Sequence, residues 1–127
     1  MKLLWYPDYG DTRDASSVYR NLAKDLAREK ILLVQVEAFL ERVESLADLG
    51  QMAQSEQVAP LGNGLHEMRI PKVRTGGVVR IYFCHAIADH QTLVLLEAEF
   101  KHTKAAQKRP SAERRLSEYR EREKRKE

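Results

Sequence analysis

The spacing of apolar residues changes character along the chain and marks out its elements. Leu3-Leu4-Trp5-Tyr6 is a bulky cluster that reads as a short strand, closed by Pro7 and the turn-forming Asp8-Tyr9-Gly10-Asp11. From Asp14, an N-cap candidate, Val18, Leu22 and Leu26 recur at helical spacing, and the polar Arg28-Glu29-Lys30 interrupts them. A second helix is predicted from Ile31 to Leu49, with Leu32, Val36, Phe39, Val43, Leu46 and Ala47 on one stripe and Gly50 just past its end. Ile31 to Val36 alone also suits a strand, but the spacing continues for about five turns, which favours the helix.

Gln51 to Gly64 reads as a polar connector ending in Pro60-Leu61-Gly62-Asn63-Gly64, whose glycines permit positive φ and a tight entry into the next element. Beyond it the period falls to two. Leu65 to Ile70, Val78 to His85 and Thr92 to Ala98 are strand candidates joined by short connections, which predicts an antiparallel meander. From about Ser111, Ala112, Leu116 and Tyr119 give a narrow apolar face that covers the sheet only at its beginning, before Arg-Glu-Lys repeats take over. Two helices, a meander and a last helix make an α+β order.

At 127 residues, 43% apolar and 32% charged, the chain reads as one globular domain. No run is long and apolar enough for a bilayer, and Met1 to Asp8 lacks the features of a secretory signal, so a cytoplasmic location is expected. Cys84 stands alone in an apolar strand pattern, which fits a buried hydrophobe better than a nucleophile. Charge is uneven: residues 1–100 hold 11 Lys and Arg against 14 Asp and Glu, whereas residues 101–127 hold 11 against 5. Such a basic end suits an anionic partner, nucleic acid above all, and equally a solvated helix with frayed ends.

Three stretches together resemble a known family. These are Leu61-Gly62-Asn63-Gly64-Leu65-His66-Glu67-Met68-Arg69, then Gly76-Gly77-Val78-Val79-Arg80-Ile81-Tyr82-Phe83, then Leu95-Leu96-Glu97-Ala98-Glu99-Phe100-Lys101-His102 with Pro110. In order and spacing they are similar to the HigB-like, phage-derived branch of the RelE/ParE toxins. Two positions depart from that pattern: Lys101-His102 stands where the family pairs two lysines, and His66 where an aromatic is usual. The resemblance implies two N-terminal helices packed on a small antiparallel sheet, with a basic C-terminal helix. It also implies a metal-independent, ribosome-dependent messenger RNA endonuclease of a type II toxin-antitoxin pair. The expected partners are the ribosome, messenger RNA and a cognate antitoxin, commonly a helix-turn-helix DNA-binding protein, in a hetero-oligomer.

RNA cleavage by the neighbouring ribose 2′-oxygen requires a held phosphate, compensation of its growing charge and two proton transfers. Strand alternation puts Glu67 and Arg69 on one face, and Arg80 shares a face with Tyr82. In meander register, Arg69 and Arg80 would form a phosphate cradle, with Glu67 either orienting one of them or serving as base. By spacing alone these residues read as cross-strand ion pairs; the resemblance is what turns them toward chemistry. It adds Lys101 and His102 to Arg69 and Arg80 as the catalytic set, with Glu67, Tyr82, Lys104, Lys108 and Arg109 contacting RNA. His102, among cations, is a candidate for proton transfer or a surface histidine in a basic loop, and Tyr82 either stacks on a base or fills the sheet face. His66, His85 and His90 fall on separate strands and a turn with no metal-ligand spacing, and no glycine-rich nucleotide motif occurs. No metal or cofactor is expected. Two other readings remain open: a RelE/ParE-fold inhibitor of a protein target such as DNA gyrase, and a non-catalytic nucleic-acid-binding module that uses the basic tail.

Overall fold

The computed structural model describes residues 1–54, 57–71, 78–101 and 108–126. In chain order these form β1 (Lys2–Trp5), a 3-10 turn (Arg13–Ala15), α1 (Ser17–Asp25), α2 (Lys30–Ser45), α3 (Gly50–Gln54), β2 (Val58–Gly62), β3 (Leu65–Pro71), β4 (Val78–His85), β5 (Thr92–Lys101) and α4 (Arg109–Arg125). The strands make one sheet in the order β1-β5-β4-β3-β2. The fold is α+β, and it departs from expectation in three ways. The sheet is mixed, because β1 runs parallel to β5 while every other pair is antiparallel. The presumed connector Gln51–Gly64 contributes α3 and β2. Gly50 opens α3 instead of closing α2, which ends at Ser45 with Leu46 as its C-cap, and Asp48 Oδ1 accepts the Gly50 N–H at 2.8 Å.

Local chemistry sets the helix starts. Ser16, not Asp14, caps α1: its hydroxyl accepts from Val18 N–H at 3.1 Å and donates to the Tyr6 carbonyl at 2.7 Å, tying the helix to the end of β1. Val18, Tyr19, Leu22 and Leu26, with Leu32, Val36, Phe39, Leu40 and Val43 of α2, bury against one sheet face carrying Met68, Ile70, Val79, Ile81, Phe83, Leu93 and Leu95. The opposite face carries Leu65, Tyr82, Cys84, Val94 and Leu96, and α4 buries Ala112, Leu116 and Tyr119 against it. Helices therefore lie on both faces, and β5 is buried along almost its whole length.

The narrow apolar face of the last helix does more than cover the start of the sheet, because its cations hold it down. Arg115 donates to the Leu96 carbonyl at 2.9 Å and stacks 4.2 Å from the Tyr6 ring centre, and Arg122 lies 4.3 Å over Tyr9. Arg120 donates to the Asn63 carbonyl, crossing Gly64, where a Cβ would meet its terminal nitrogen at 2.5 Å. Gly64 also has φ +83° and Gly62 φ +98°, as the turn chemistry predicts. Among the described residues, Arg115, Arg120 and Arg122 thus bond inward, while Arg114, Lys124, Arg125 and Lys126 stay exposed.

Truncating Leu116 to Ala removes a buried side chain from this second cluster. It should lower stability by about 2–4 kcal/mol, read from the urea midpoint by circular dichroism. An unchanged midpoint would show that α4 lies outside the cooperative unit.

Candidate functional site

Beyond the apolar footprint of α4, the same sheet face turns polar. The register sets Arg69 opposite Arg80 and Glu67 opposite Tyr82 across β3 and β4; on β5, Glu99 lies opposite Arg80 and Glu97 opposite Tyr82. A bulge at Tyr82/Phe83 makes this possible: Phe83 pairs with Leu95 and Tyr82 with Glu97, so Leu96 is the extra residue. From Glu97 the alternation resumes with Glu97, Glu99 and Lys101 on the α4 side and Ala98 and Phe100 on the other.

Glu67 organises the row. Its side chain is 1% exposed; Oε1 accepts from Arg69 Nε at 2.7 Å and lies 2.6 Å from an Arg69 terminal nitrogen. Its Oε2 sits 3.7 Å from Arg80 Nη1, an ionic contact too long for a hydrogen bond, and Oε2 and Arg80 Nε both lack hydrogen-bond partners. Tyr82 donates to Glu99 Oε2 at 2.7 Å, and the Lys108 backbone N–H donates to the same oxygen at 3.1 Å. Burial, followed by that hydrogen bond and the charge of Glu99, pushes the Tyr82 hydroxyl far up. Glu97 accepts from Ser111 Oγ at 2.9 Å and pairs with Arg115 at 2.9 Å. Lys101 is 4% exposed, and its Nζ makes no hydrogen bond.

The expected site residues therefore separate. Arg69 and Arg80 share the face, side by side in register, with 45% and 23% of their side chains exposed. Lys101 ends β5 and is not in a following loop, one row along from Glu99 on the same face. Glu67 touches both arginines and is too buried to meet RNA itself. Tyr82, wholly buried in the second cluster, packs and cannot stack on a base. Lys108 is half-buried at the start of α4, and Arg109 is engaged by the Leu61 carbonyl at 2.9 Å and Glu113 at 3.4 Å, so its guanidinium is held to the protein. His102 and Lys104 lie outside the described residues. Glu97 and Glu99 escaped the sequence reading; the signal available was the alternation Glu97-Ala98-Glu99-Phe100-Lys101.

Two further placements bear on chemistry. His66, His85 and His90, which looked scattered, are neighbours at one end of the sheet: ring centres are 5.5 Å apart for His66 and His85 and 6.3 Å for His85 and His90. Among the described residues no three His, Cys, Asp or Glu side chains are arranged to hold a metal ion, and no helix is long and apolar enough to cross a membrane. No family model, curated protein or solved structure matches the chain.

Two outcomes follow from these surroundings. Glu67→Ala leaves Arg80 half-buried beside no carboxylate on β3 and should cost about 3 kcal/mol in urea unfolding, whereas a smaller loss is expected for Glu67→Gln, which keeps the volume and one acceptor. Burial holds the His66 imidazole below its ordinary range, against the opposing hydrogen bond to Gly64. The folded state thus prefers the neutral ring: this contribution is complete above an unfolded value of about 6.5 and is lost as pH falls from there through the lower folded value. Replacing His66 with Phe, which keeps the stack on Phe83, should flatten the decline in thermal midpoint between pH 7 and 5.

Proposed function

We propose that the chain is a RelE-like toxin of the HigB type, a metal-independent endoribonuclease that cuts messenger RNA on the ribosome. The observation that carries this reading is the concentration of unfilled donors on one sheet face: Arg80 Nε and Lys101 Nζ are buried without hydrogen bonds beside the partly exposed Arg69. A buried cation with idle donors is costly for a purely structural role and useful for a scissile phosphate. Arg69 and Arg80 would grip its non-bridging oxygens, and Lys101 would compensate the charge that grows on them. The 2′-hydroxyl loses its proton to a base, for which His102 is the candidate. Its oxygen then bonds to phosphorus, and the 5′-oxygen leaves with a proton, giving a 2′,3′-cyclic phosphate.

Three carboxylates accompany these cations, and they tune the reading. Glu67, Glu97 and Glu99 bring the row of Arg69, Arg80, Lys101 and Arg115 to a single excess positive charge, so the site is built for oriented contact more than for bulk attraction of nucleic acid. The ribosome would then deliver the substrate. A cognate antitoxin, of the helix-turn-helix type in this branch, would restrain the enzyme in a hetero-oligomer. The tail-only binding module loses ground, because Arg109, Arg115, Arg120 and Arg122 are spent within the fold.

Inducing the protein and mapping cellular transcripts by primer extension should show new 5′ ends. The Arg69→Lys, Arg80→Lys double variant, which keeps positive charge beside Glu67 and loses the forked donors, should cut at least about tenfold more slowly while keeping its far-ultraviolet circular dichroism. Growth arrest with intact transcripts, unchanged in the double variant, would replace this reading with inhibition of a protein target.

A further inference from the structure

Three large apolar side chains among the described residues stand in solvent: Ile31 at 79% exposure, Val34 at 65% and Ile87 at 56%. Ile87 lies alone on the turn between β4 and β5, but Ile31 and Val34 are neighbours one helical turn apart on α2. Exposed Ala38 continues the line one turn on, so the outward face of α2 carries an apolar stripe. β-Branched residues held in solvent gain nothing from burial and are poorer helix formers than straight-chain residues. The stripe points away from the sheet, because Leu32, Val36, Phe39, Leu40 and Val43 hold the other side of the helix in the core.

The charges beside the stripe run in one sense along the helix. Lys30 stands in the first turn of α2, whereas Glu37, Glu41 and Glu44 occupy its second half with Arg42 as the single cation there. At about 100° per residue, Lys30 and Glu41 fall on the same flank of the stripe, roughly three turns apart. Both are exposed, and neither forms an ion pair with a described residue. Arg42 lies on the other flank, and Glu37 turns toward Arg13, 4.0 Å away.

We propose that this stripe is the interface of a two-fold symmetric dimer, in which α2 packs antiparallel on α2 of a second copy. A two-fold axis perpendicular to the helices brings each flank against the same flank of the other copy, so every contact occurs twice. Crossing α2 between Gln35 and Val36, the axis sets Lys30 level with Glu41 of the second copy. Val34 then packs over Ala38 of the second copy, large against small, and Ile31 falls between that Ala38 and the aliphatic stem of Arg42. A parallel pair would instead place Lys30 on Lys30 and Glu41 on Glu41. This self-match in charge is what selects a second copy as the occupant of the stripe. The 16 residues of α2 span about 24 Å and would bury roughly 800 Å² in total, below the standard interface, so a dimer that dissociates around roughly 100 μM is expected. The Arg69–Arg80 row lies on the other sheet face, so the two rows point away from the axis and the dimer does not rest on the nuclease reading.

Sedimentation equilibrium of the intact protein should show a weight-average mass rising from 14.7 kDa toward twice that value between roughly 5 μM and 1 mM. Val34→Glu sets a charge in the middle of the stripe and should hold the chain at the monomer mass. Its thermal midpoint at low concentration should be unchanged, since Val34 lies outside the core. Lys30→Glu and Glu41→Lys should each weaken self-association roughly tenfold in low salt, because each turns both symmetry-related ion pairs into like-charge contacts. Mixing these two single variants should restore association, as each copy then offers the other the charge it lacks. A monomer at every concentration overturns the proposal and leaves the stripe to a protein of another sequence. Association that Val34→Glu does not reduce, or that mixing does not restore, overturns it too and places the contact elsewhere on the molecule.

Discussion

A sheet covered by helices on both faces leaves no inexpensive place for an unpaired charge in its inner strands, and that desolvation constraint governs the polar half of this molecule. Glu67 is nearly inaccessible, and it is tolerable there because Arg69 and Arg80 stand on either side of it. Glu97 is tolerable because Ser111 and Arg115 reach it from α4, and Glu99 because Tyr82 and the Lys108 amide do. The carboxylates fix the cations in place, and the cations make the carboxylates affordable. Lys101 and the Arg80 Nε stand outside this settlement with donors unfilled, which is why the proposed chemistry is assigned to them.

The second helix layer depends on the same constraint. The apolar contact of α4 amounts to Ala112, Leu116 and Tyr119, a thin stripe on an otherwise charged helix. Ion pairs and cation–π contacts extend its grip: Arg115 on Tyr6 and Glu97, Arg120 on the Asn63 carbonyl, Arg122 on Tyr9. Burial by the same packing pushes the Tyr9 hydroxyl up to about 12, so it remains neutral beneath the guanidinium. A segment with strongly polar composition therefore acts as structure.

Much of this was legible beforehand, and the failures share a cause. The period-two strands around Glu67, Arg80 and Leu95 and the stripe from Leu32 to Val43 follow from spacing, because each buries one defined face. The opposition of Arg69 and Arg80 followed from alternation plus a meander register. What spacing hides is long-range: the parallel docking of β1, the bulge that puts Leu96 and Glu97 on one side, and the gathering of His66, His85 and His90 by two turns. The strand Val58–Gly62 was concealed by Pro60 and Gly62, tolerated because β2 is an edge. Tyr82 looked equally suited to a base or to the core; only α4, arriving from the far end of the sequence, decides that it is buried.

The parallel pairing of Lys2 with Thr92 and Trp5 with Leu95 has a consequence for biosynthesis. A chain emerging amino end first presents α1 and α2 with many of their apolar partners still unmade, and β5, the inner strand that joins β1 to the meander, follows every other strand of the sheet. The Arg69–Arg80 row is not flanked on its second side until β5 has followed, since Glu99 lies opposite Arg80. Whatever this surface does, it begins to do only once every segment as far as α4 has left the ribosome.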